Sequence, residues 1–181
     1  MKRIIILFVI MFSFFSKGNA QYDKLASDFS FKDVEGKTIN LANYKNKVIV
    51  IVNVASRCGF TNQYKDLQAL WTDYQDKGLV VIGVPSNNFR QEPGTNKEIK
   101  NFCETTFGIS FPITEKLNVV GSNAHPFFIW AKDNHGSSAI PKWNFHKIII
   151  GKNSRVVETF ASITKPSSKK FISTIEKEIK N

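Results

Sequence analysis

Cys58 is one of two cysteines in the chain and lies in the stretch NVASRCGFT, residues 53–61, directly after a run of β-branched residues. Thr61 stands where a Cys-x-x-Cys motif would carry its second cysteine, so local dithiol exchange is unavailable. A lone thiolate can instead attack the O–O bond of a peroxide and become a sulfenic acid. This reaction needs hydrogen-bond donors around the sulfur and a second thiol that discharges the sulfenic acid as a disulfide.

The position of Cys58 in the sequence favours a nucleophile over the alternative, an inert buried thiol. Cys58 follows a predicted buried strand and precedes a predicted helix, and open α/β sheets place their sites at the carboxyl ends of strands. The partial positive charge of a helix N-terminus favours thiolate over thiol, and Arg57 adds a neighbouring cation. Gly59 allows another group to approach the sulfur closely.

The hydrophobic pattern predicts the elements that position this cysteine. Nearly continuous apolar runs are typical of strands buried on both faces, and apolar residues three and four apart are typical of amphipathic helices. We predict a hairpin over 29–41, strands over 47–54 and 79–84, helices over 64–74, 95–107, 127–131 and 167–179, and strands over 147–150 and 156–160.

The order of these elements predicts an α/β protein with a thioredoxin-like fold, in which helices flank a central mixed β-sheet on both faces. A flavodoxin-like sheet is the alternative, but it requires more βα units than this chain supplies.

The first 20 residues have the organisation of a secretory signal peptide. Two basic residues precede an apolar run, residues 4–15, and the small residues Gly18 and Ala20 stand three and one before a cleavage point after Ala20. A membrane-spanning helix is the alternative, but it needs about 20 apolar residues. We expect cleavage after Ala20 and export of residues 21–181, as a single domain, to the periplasm or the extracellular space.

Composition and charge argue against several function classes. The formal net charge of +10 falls to +7 without the three basic residues of the predicted signal peptide. The other basic residues are scattered, without the focused stripe of a nucleic-acid-binding protein, so we predict a solvated surface with weak attraction to anionic membranes. The three histidines show no metal-ligand spacing, so we predict neither a metal nor another cofactor. A structural Cys58–Cys103 disulfide is an alternative use of the cysteines in an exported chain.

Three blocks of the sequence, in order, resemble the glutathione peroxidase family. They are NVASRCGFT at 53–61, GVPSNNFRQEPG at 83–94 and WNF at 143–145. With shorter matches such as Phe111-Pro112 and His125-Pro126, the resemblance covers roughly residues 26–180. Three blocks in this order are highly specific for the family, whereas Cys-Gly-Phe-Thr alone would be weak evidence of a resemblance.

The resemblance implies a thiol peroxidase that reduces hydrogen peroxide and organic or lipid hydroperoxides. The family's site joins a peroxidatic cysteine or selenocysteine to a Gln, a Trp and an Asn, which here are Cys58, Gln91, Trp143 and Asn144. Two amides and an indole would donate N–H groups to the thiolate and to a peroxide oxygen. Cysteine in place of selenocysteine implies a slower enzyme. This sequence has one residue fewer between Phe89 and Gln91 than the common pattern.

The resemblance also implies how the enzyme is reset. Members that use thioredoxin carry a resolving cysteine in the helix where Cys103 lies, and Phe102-Cys103 with Phe107-Gly108 is similar to the block around it. The hypothesis is that Cys103 attacks oxidised Cys58 after local unwinding of the helix, because a disulfide requires Cα atoms within about 7 Å. The alternative is a core thiol at Cys103 and an external thiol that resolves Cys58.

The segment before the Trp-Asn-Phe block is short. Tetrameric members of the family carry a long insertion there, whereas residues 133–142 alone fill the space here, which implies a monomer with an open site for lipid hydroperoxides. No glutathione-anchoring cluster stands out, so the predicted reductant is a thioredoxin-like protein or a low-molecular-weight thiol. Two alternatives stay open: an exported thiol–disulfide oxidoreductase, which the missing second cysteine argues against, and a non-enzymatic peroxide-sensing module.

Overall fold

The structure, a computed structural model, describes residues 23–181, and the predicted signal peptide lies outside them. None of the helices within these residues is long and apolar enough to cross a membrane. The strands are β1 (Ser30–Lys32), β2 (Thr38–Asn40), β3 (Val48–Val54), β4 (Leu79–Pro85), β5 (Lys147–Ile150) and β6 (Val156–Phe160), and the α-helices are α1 (Gln63–Tyr74), α2 (Asn96–Phe107), α3 (Pro126–His135) and α4 (Lys169–Lys180).

The central sheet is mixed, and its strands lie in the order β4-β3-β5-β6. Strands β3 and β4 are parallel, with Val48 opposite Leu79 and Val54 opposite Pro85. Strand β5 runs antiparallel to both β3 and β6. Because β3 and β4 are parallel and in register, their carboxyl ends meet at one edge of the sheet, and the segments that follow them start side by side.

Helices cover both faces of this sheet, as the sequence predicted. Helices α1, α2 and α4 pack on one face through buried residues that include Leu67, Ile99 and Phe171. Helix α3 and the β1–β2 hairpin pack on the other face, with Phe127 and Phe31 among the buried residues. Strands β3 and β4 are buried along their whole length because each face of the sheet carries a layer of apolar side chains.

The helix that carries Cys103 has a defined capping structure at each end. The Glu98 N–H donates to Thr95 Oγ1, and the Thr95 N–H donates to the Glu98 carboxylate, which makes a capping box. Gly108 ends α2 in the left-handed conformation, with φ +61°. The prediction of a helix that begins after Thr95 and ends at residue 107 is confirmed.

Several predicted boundaries differ from the structure by one or two residues, and one helix differs by more. Helix α1 begins at Gln63, one residue before the predicted start, and ends at Tyr74 as predicted; a 3-10 turn over Gln75–Lys77 then carries the chain to Gly78. Helix α3 spans ten residues rather than the predicted five. The proline in its first turn and the side chain of His125, which accepts the Phe127 N–H, define its start, and the helix continues past the predicted end to His135, before Gly136.

Candidate active site

Cys58 lies just beyond β3, in the turn that leads into α1. Its side chain is buried, with 5% of the residue exposed. The Phe60 N–H donates to Sγ at 3.4 Å, and the Thr61 N–H donates to the Cys58 carbonyl oxygen at 3.1 Å. The backbone amide that stabilises negative charge on sulfur therefore belongs to this turn. Helix α1 begins only at Gln63, five residues after Cys58. A helix dipole acts over about one turn, so the Phe60 amide is the nearer source of stabilisation for the sulfur.

Gln91 and Asn144 are in direct contact. Asn144 Nδ2 donates a hydrogen bond to Gln91 Oε1 at 2.8 Å. Asn144 is fully buried, and its Oδ1 has no hydrogen-bond partner among the described residues. The bond orients both amides. The side-chain N–H groups of Gln91 make no hydrogen bond within residues 23–181, and Gln91 is partly exposed, so these groups are available to a ligand.

The loop after β4 brings Gln91 to the Cys58 turn. The Arg57 N–H donates to the Gln91 carbonyl oxygen at 3.0 Å. Arg90 adopts the left-handed conformation, with φ +59°, and its N–H donates to the Asn87 carbonyl oxygen at 2.9 Å. This tight turn lies directly before Gln91, whose side chain contacts Asn144.

Glu92 is a residue of this site that the sequence analysis missed. It is 1% exposed, and its Oε2 accepts hydrogen bonds from the N–H and the hydroxyl of Ser56, at 2.7 and 2.9 Å. Burial raises the pKa of the Glu92 carboxyl, and the bonds from Ser56 oppose that rise. Gln91 and Glu92 together hold the two residues that precede Cys58. The only signal for Glu92 in the sequence was its position in the block at 83–94.

Asn53, at the end of β3, anchors the segment that carries Trp143 and Asn144. Asn53 Nδ2 donates to the Trp143 carbonyl oxygen at 3.1 Å, and Oδ1 accepts the His146 N–H at 3.0 Å. Phe145 adopts φ +63°, a strained conformation for a bulky residue, and its N–H donates to the Asn53 carbonyl oxygen. The bonds from Asn53 hold the chain in this conformation.

Trp143 is the most exposed of the predicted site residues, at 42%. Its ring contacts that of Phe89, with centroids 5.4 Å apart and an interplanar angle of 45°. The indole N–H makes no hydrogen bond within residues 23–181, so it is available to a ligand. The two rings form an aromatic surface beside the site.

The structure brings the segments that carry Cys58, Gln91, Trp143 and Asn144 to one edge of the sheet. However, no hydrogen bond joins Cys58 Sγ to a side chain of the other three within residues 23–181, and the Phe60 amide makes the contact with sulfur instead. No group of three or more metal-ligating side chains occurs in the described part of the chain.

Cys103 is buried in α2, at 1% exposure, and both cysteines are free thiols. The structure therefore contains no Cys58–Cys103 disulfide, which was the alternative use of the two cysteines. Burial raises the pKa of the Cys103 thiol to about 11, so this group is a thiol at neutral pH.

The mixed sheet with helices on both faces is a thioredoxin-like fold, and Cys58 lies just past the carboxyl end of its central strand β3, where open α/β sheets place their sites. A family model for glutathione peroxidase matches residues 26–132. The chain belongs to the glutathione peroxidase family, which confirms the resemblance of the three sequence blocks.

Similar proteins agree with this assignment. Glutathione peroxidase-like peroxiredoxin 2 of Saccharomyces cerevisiae is 46% identical over 146 residues, which cover 78% of this chain and 90% of that protein. Hydroperoxy fatty acid reductase gpx1 of Synechocystis sp. is 44% identical over 156 residues, which cover 81% of this chain and 92% of that protein. The crystal structure of Trgpx in apo form matches with a TM-score of 0.70 and 33% identity, over 88% of this chain and 97% of that one. The predicted fold and peroxidase class are confirmed.

Proposed function

We propose that this peroxidase reduces hydroperoxides by oxidation of Cys58 to a sulfenic acid, with Gln91, Trp143 and Asn144 as surrounding donors. The observation that carries the proposal is the bond between Asn144 and Gln91, which joins two of the three segments beside the Cys58 turn. The names of the two relatives, a peroxiredoxin and a hydroperoxy fatty acid reductase, support hydroperoxides, including those of fatty acids, as substrates.

In the first step, the Cys58 thiolate attacks one oxygen of the O–O bond. That bond breaks, sulfur keeps one oxygen as the sulfenic acid, and the other oxygen takes up a proton and leaves as water or an alcohol. The Phe60 N–H stabilises the negative charge on sulfur before the attack. The amide N–H groups of Gln91 and Asn144 and the indole N–H of Trp143 stabilise the charge that develops on the leaving oxygen.

Cys103 resolves the sulfenic acid in the same proposal. The Cys103 sulfur attacks Cys58 Sγ, the S–O bond breaks, and hydroxide takes up a proton and leaves as water. An external thiol, from a thioredoxin-like protein or a small molecule, then reduces the disulfide. Both thiols are free in the structure and belong to the same buried cluster, which supports this pairing.

The packing of α2 supports the unwinding that the disulfide requires. Of its 12 residues, only Ile99 and Cys103 are buried. A cavity of about 330 Å³ is lined by residues that include Lys100, Cys103 and Glu104, and another of about 220 Å³ is lined by residues that include Ile99 and Phe102. A helix with few buried contacts opens at a lower free-energy cost than the core of the domain.

Single-turnover oxidation tests this proposal with a matched pair of variants. Cys58→Ser and Cys103→Ser each remove one buried thiol. With one equivalent of hydrogen peroxide, Cys103→Ser is expected to consume peroxide and retain a sulfenic acid, whereas Cys58→Ser consumes none. Mass spectrometry of the unaltered protein is expected to show a Cys58–Cys103 disulfide. A stable sulfenic acid without that disulfide would contradict the resolving role of Cys103, and peroxide consumption by Cys58→Ser would contradict the role of Cys58.

Export, a monomeric state and weak contact with membrane surfaces complete the proposal. The apolar run at residues 4–15 with small residues at 18 and 20 supports export after cleavage behind Ala20. The exposed Trp143 ring beside Phe89 supports access for bulky hydroperoxides in a monomer. Intact mass and sedimentation of the protein recovered from the periplasm of a bacterial host test export and the monomeric state. A full-length cytoplasmic chain would contradict export, and a tetramer would contradict the monomer.

A further inference from the structure

Tyr64, in the first turn of α1, is fully buried, with 0% exposure. Its hydroxyl is buried too and makes no hydrogen bond of ordinary geometry within residues 23–181. An unpaired buried hydroxyl costs free energy because its lost hydration is not replaced. Phenylalanine would fill the same space without that cost, so packing alone does not explain the hydroxyl.

The Tyr64 ring lies between α2 and the active-site segment. Its centroid is 6.4 Å from that of Phe102, 5.2 Å from that of Phe107 and 5.2 Å from that of Phe145. Phe102 precedes Cys103, and Phe107 lies four residues after Cys103 on the same face of α2. Phe145 follows the site residue Asn144. Tyr64 therefore connects the helix of the candidate resolving cysteine with the site of Cys58.

Tyr64, Cys58 and Cys103 belong to the same buried cluster. Burial raises the pKa of Tyr64 well above its ordinary value, and Cys103, Glu92 and Cys58 add to that rise, so Tyr64 keeps its proton at physiological pH. Burial raises the pKa of the Cys103 thiol to about 11, the Tyr64 hydroxyl opposes that rise, and Glu92 and Glu104 add to it. Tyr64 therefore keeps an O–H donor near the Cys103 thiol, which stays protonated at neutral pH.

We propose that the Tyr64 hydroxyl activates Cys103 in the resolving step, by donating a hydrogen bond to the Cys103 sulfur as its thiolate forms. This inference rests on the proposed role of Cys103. The Cys103 thiol gives up its proton, its sulfur bonds to Cys58 Sγ, and the S–O bond of the sulfenic acid breaks. The hydroxide that leaves takes up a proton to form water, and Tyr64 stays protonated throughout.

The variant Tyr64→Phe removes the hydroxyl and keeps the ring contacts with Phe102, Phe107 and Phe145. Tyr74→Phe is the matched control, because Tyr74 lies in the same helix and its hydroxyl donates to Glu176 Oε1 at 2.7 Å, in a different contact. Rapid mixing of full-length protein with one equivalent of hydrogen peroxide, quenched at intervals between pH 6 and 10, measures sulfenic acid and disulfide separately by mass.

The rate of sulfenic acid formation is expected to stay unchanged in Tyr64→Phe. Disulfide formation is expected to slow by about tenfold at pH 7, because a charge-assisted hydrogen bond is lost, and a given rate of disulfide formation is expected to require a higher pH. Tyr74→Phe is expected to match the unaltered protein in both steps. A merely structural effect of the substitution would not shift the pH dependence of one step alone.

A second measurement needs no peroxide. In the Cys58→Ser background, the pH midpoint for alkylation of Cys103 by iodoacetamide is expected to rise when Tyr64→Phe is added. Unchanged disulfide kinetics and an unchanged alkylation midpoint would overturn the role of the Tyr64 hydroxyl and leave the resolving role of Cys103 intact. Absence of any Cys58–Cys103 disulfide in the unaltered protein would overturn both.

Discussion

Asn144 Nδ2 donates to Gln91 Oε1 at 2.8 Å, across 53 positions of the sequence. The bond joins the loop after β4 to the segment before β5. Gln91 is also held at its backbone, since its carbonyl oxygen accepts the N–H of Arg57, the residue before Cys58. One glutamine therefore connects the nucleophile's turn with the buried asparagine, and the orientation of each amide depends on the other.

Replacement of Gln91 by alanine tests this connection. Gln91→Ala removes one donor and leaves Asn144 Nδ2 without its acceptor, so we expect kcat/KM for hydrogen peroxide to fall by about 10- to 100-fold. Steady-state peroxide consumption with a thiol reductant measures the effect. Gln75→Ala, beyond the end of α1, is the control and is expected to retain full activity. Equal activity of the two variants would refute a role for the Gln91 amide.

The indole N–H of Trp143 is the second testable donor. Trp143→Phe keeps an aromatic ring beside Phe89 and removes the N–H, so we expect kcat/KM to fall about tenfold with little change in stability, because the residue is 42% exposed. In the control Trp130→Phe, the lost indole N–H is the donor to the Lys24 carbonyl oxygen, a contact that involves none of the site residues. That control is expected to lower the melting temperature and leave kcat/KM unchanged; the reverse pattern would contradict the assignment.

Glu92 is expected to act through its hydrogen bonds with Ser56 rather than through its charge. Glu92→Gln keeps an oxygen that can accept both bonds, whereas Glu92→Ala leaves the partly buried Ser56 N–H unpaired. We expect the alanine variant to lose about 1–3 kcal/mol of unfolding free energy and to react more slowly with peroxide. Urea unfolding and peroxide consumption measure the two effects. If both variants lose stability equally, the carboxylate charge is the important feature.

His146 is expected to make the fold sensitive to acid. Burial lowers the pKa of its imidazole to about 4, and its Nε2 has no hydrogen-bond partner within the described residues. A histidine in an unfolded chain titrates near pH 6.5. Between about pH 6.5 and 4, the unfolded chain binds a proton at His146 that the folded chain does not, so the unfolding free energy falls as the pH falls.

The variant His146→Gln tests this dependence. Its unfolding free energy, measured by urea unfolding between pH 7 and 4, is expected to fall less steeply than that of the unaltered protein. His135→Gln, in the last turn of α3, is the control and is expected to keep the original slope. Parallel pH profiles for all three proteins would show that His146 does not titrate differently in the folded and unfolded chains.

The amino-acid sequence determined the elements and the nucleophile. Strands at 147–150 and 156–160 were predicted at their observed bounds, because continuous apolar runs and turn residues are local signals. The helix over 95–107 was predicted from the spacing of its apolar residues, which is also a local signal. The blocks around Cys58, Gln91 and Trp143 indicated the family because they occur in a fixed order, independently of the contacts that these residues make.

The tertiary structure alone decided which polar groups meet. Three such contacts join residues from different segments. The Asn144 N–H donates to Gln91, Ser56 donates to Glu92, and the Tyr64 hydroxyl is buried near both cysteines. Hydrogen bonds between distant side chains follow no periodicity in the sequence, because they depend on where strand ends and loops converge. The same convergence gave the Cys58 sulfur a backbone amide from Phe60, where the sequence had suggested the helix N-terminus.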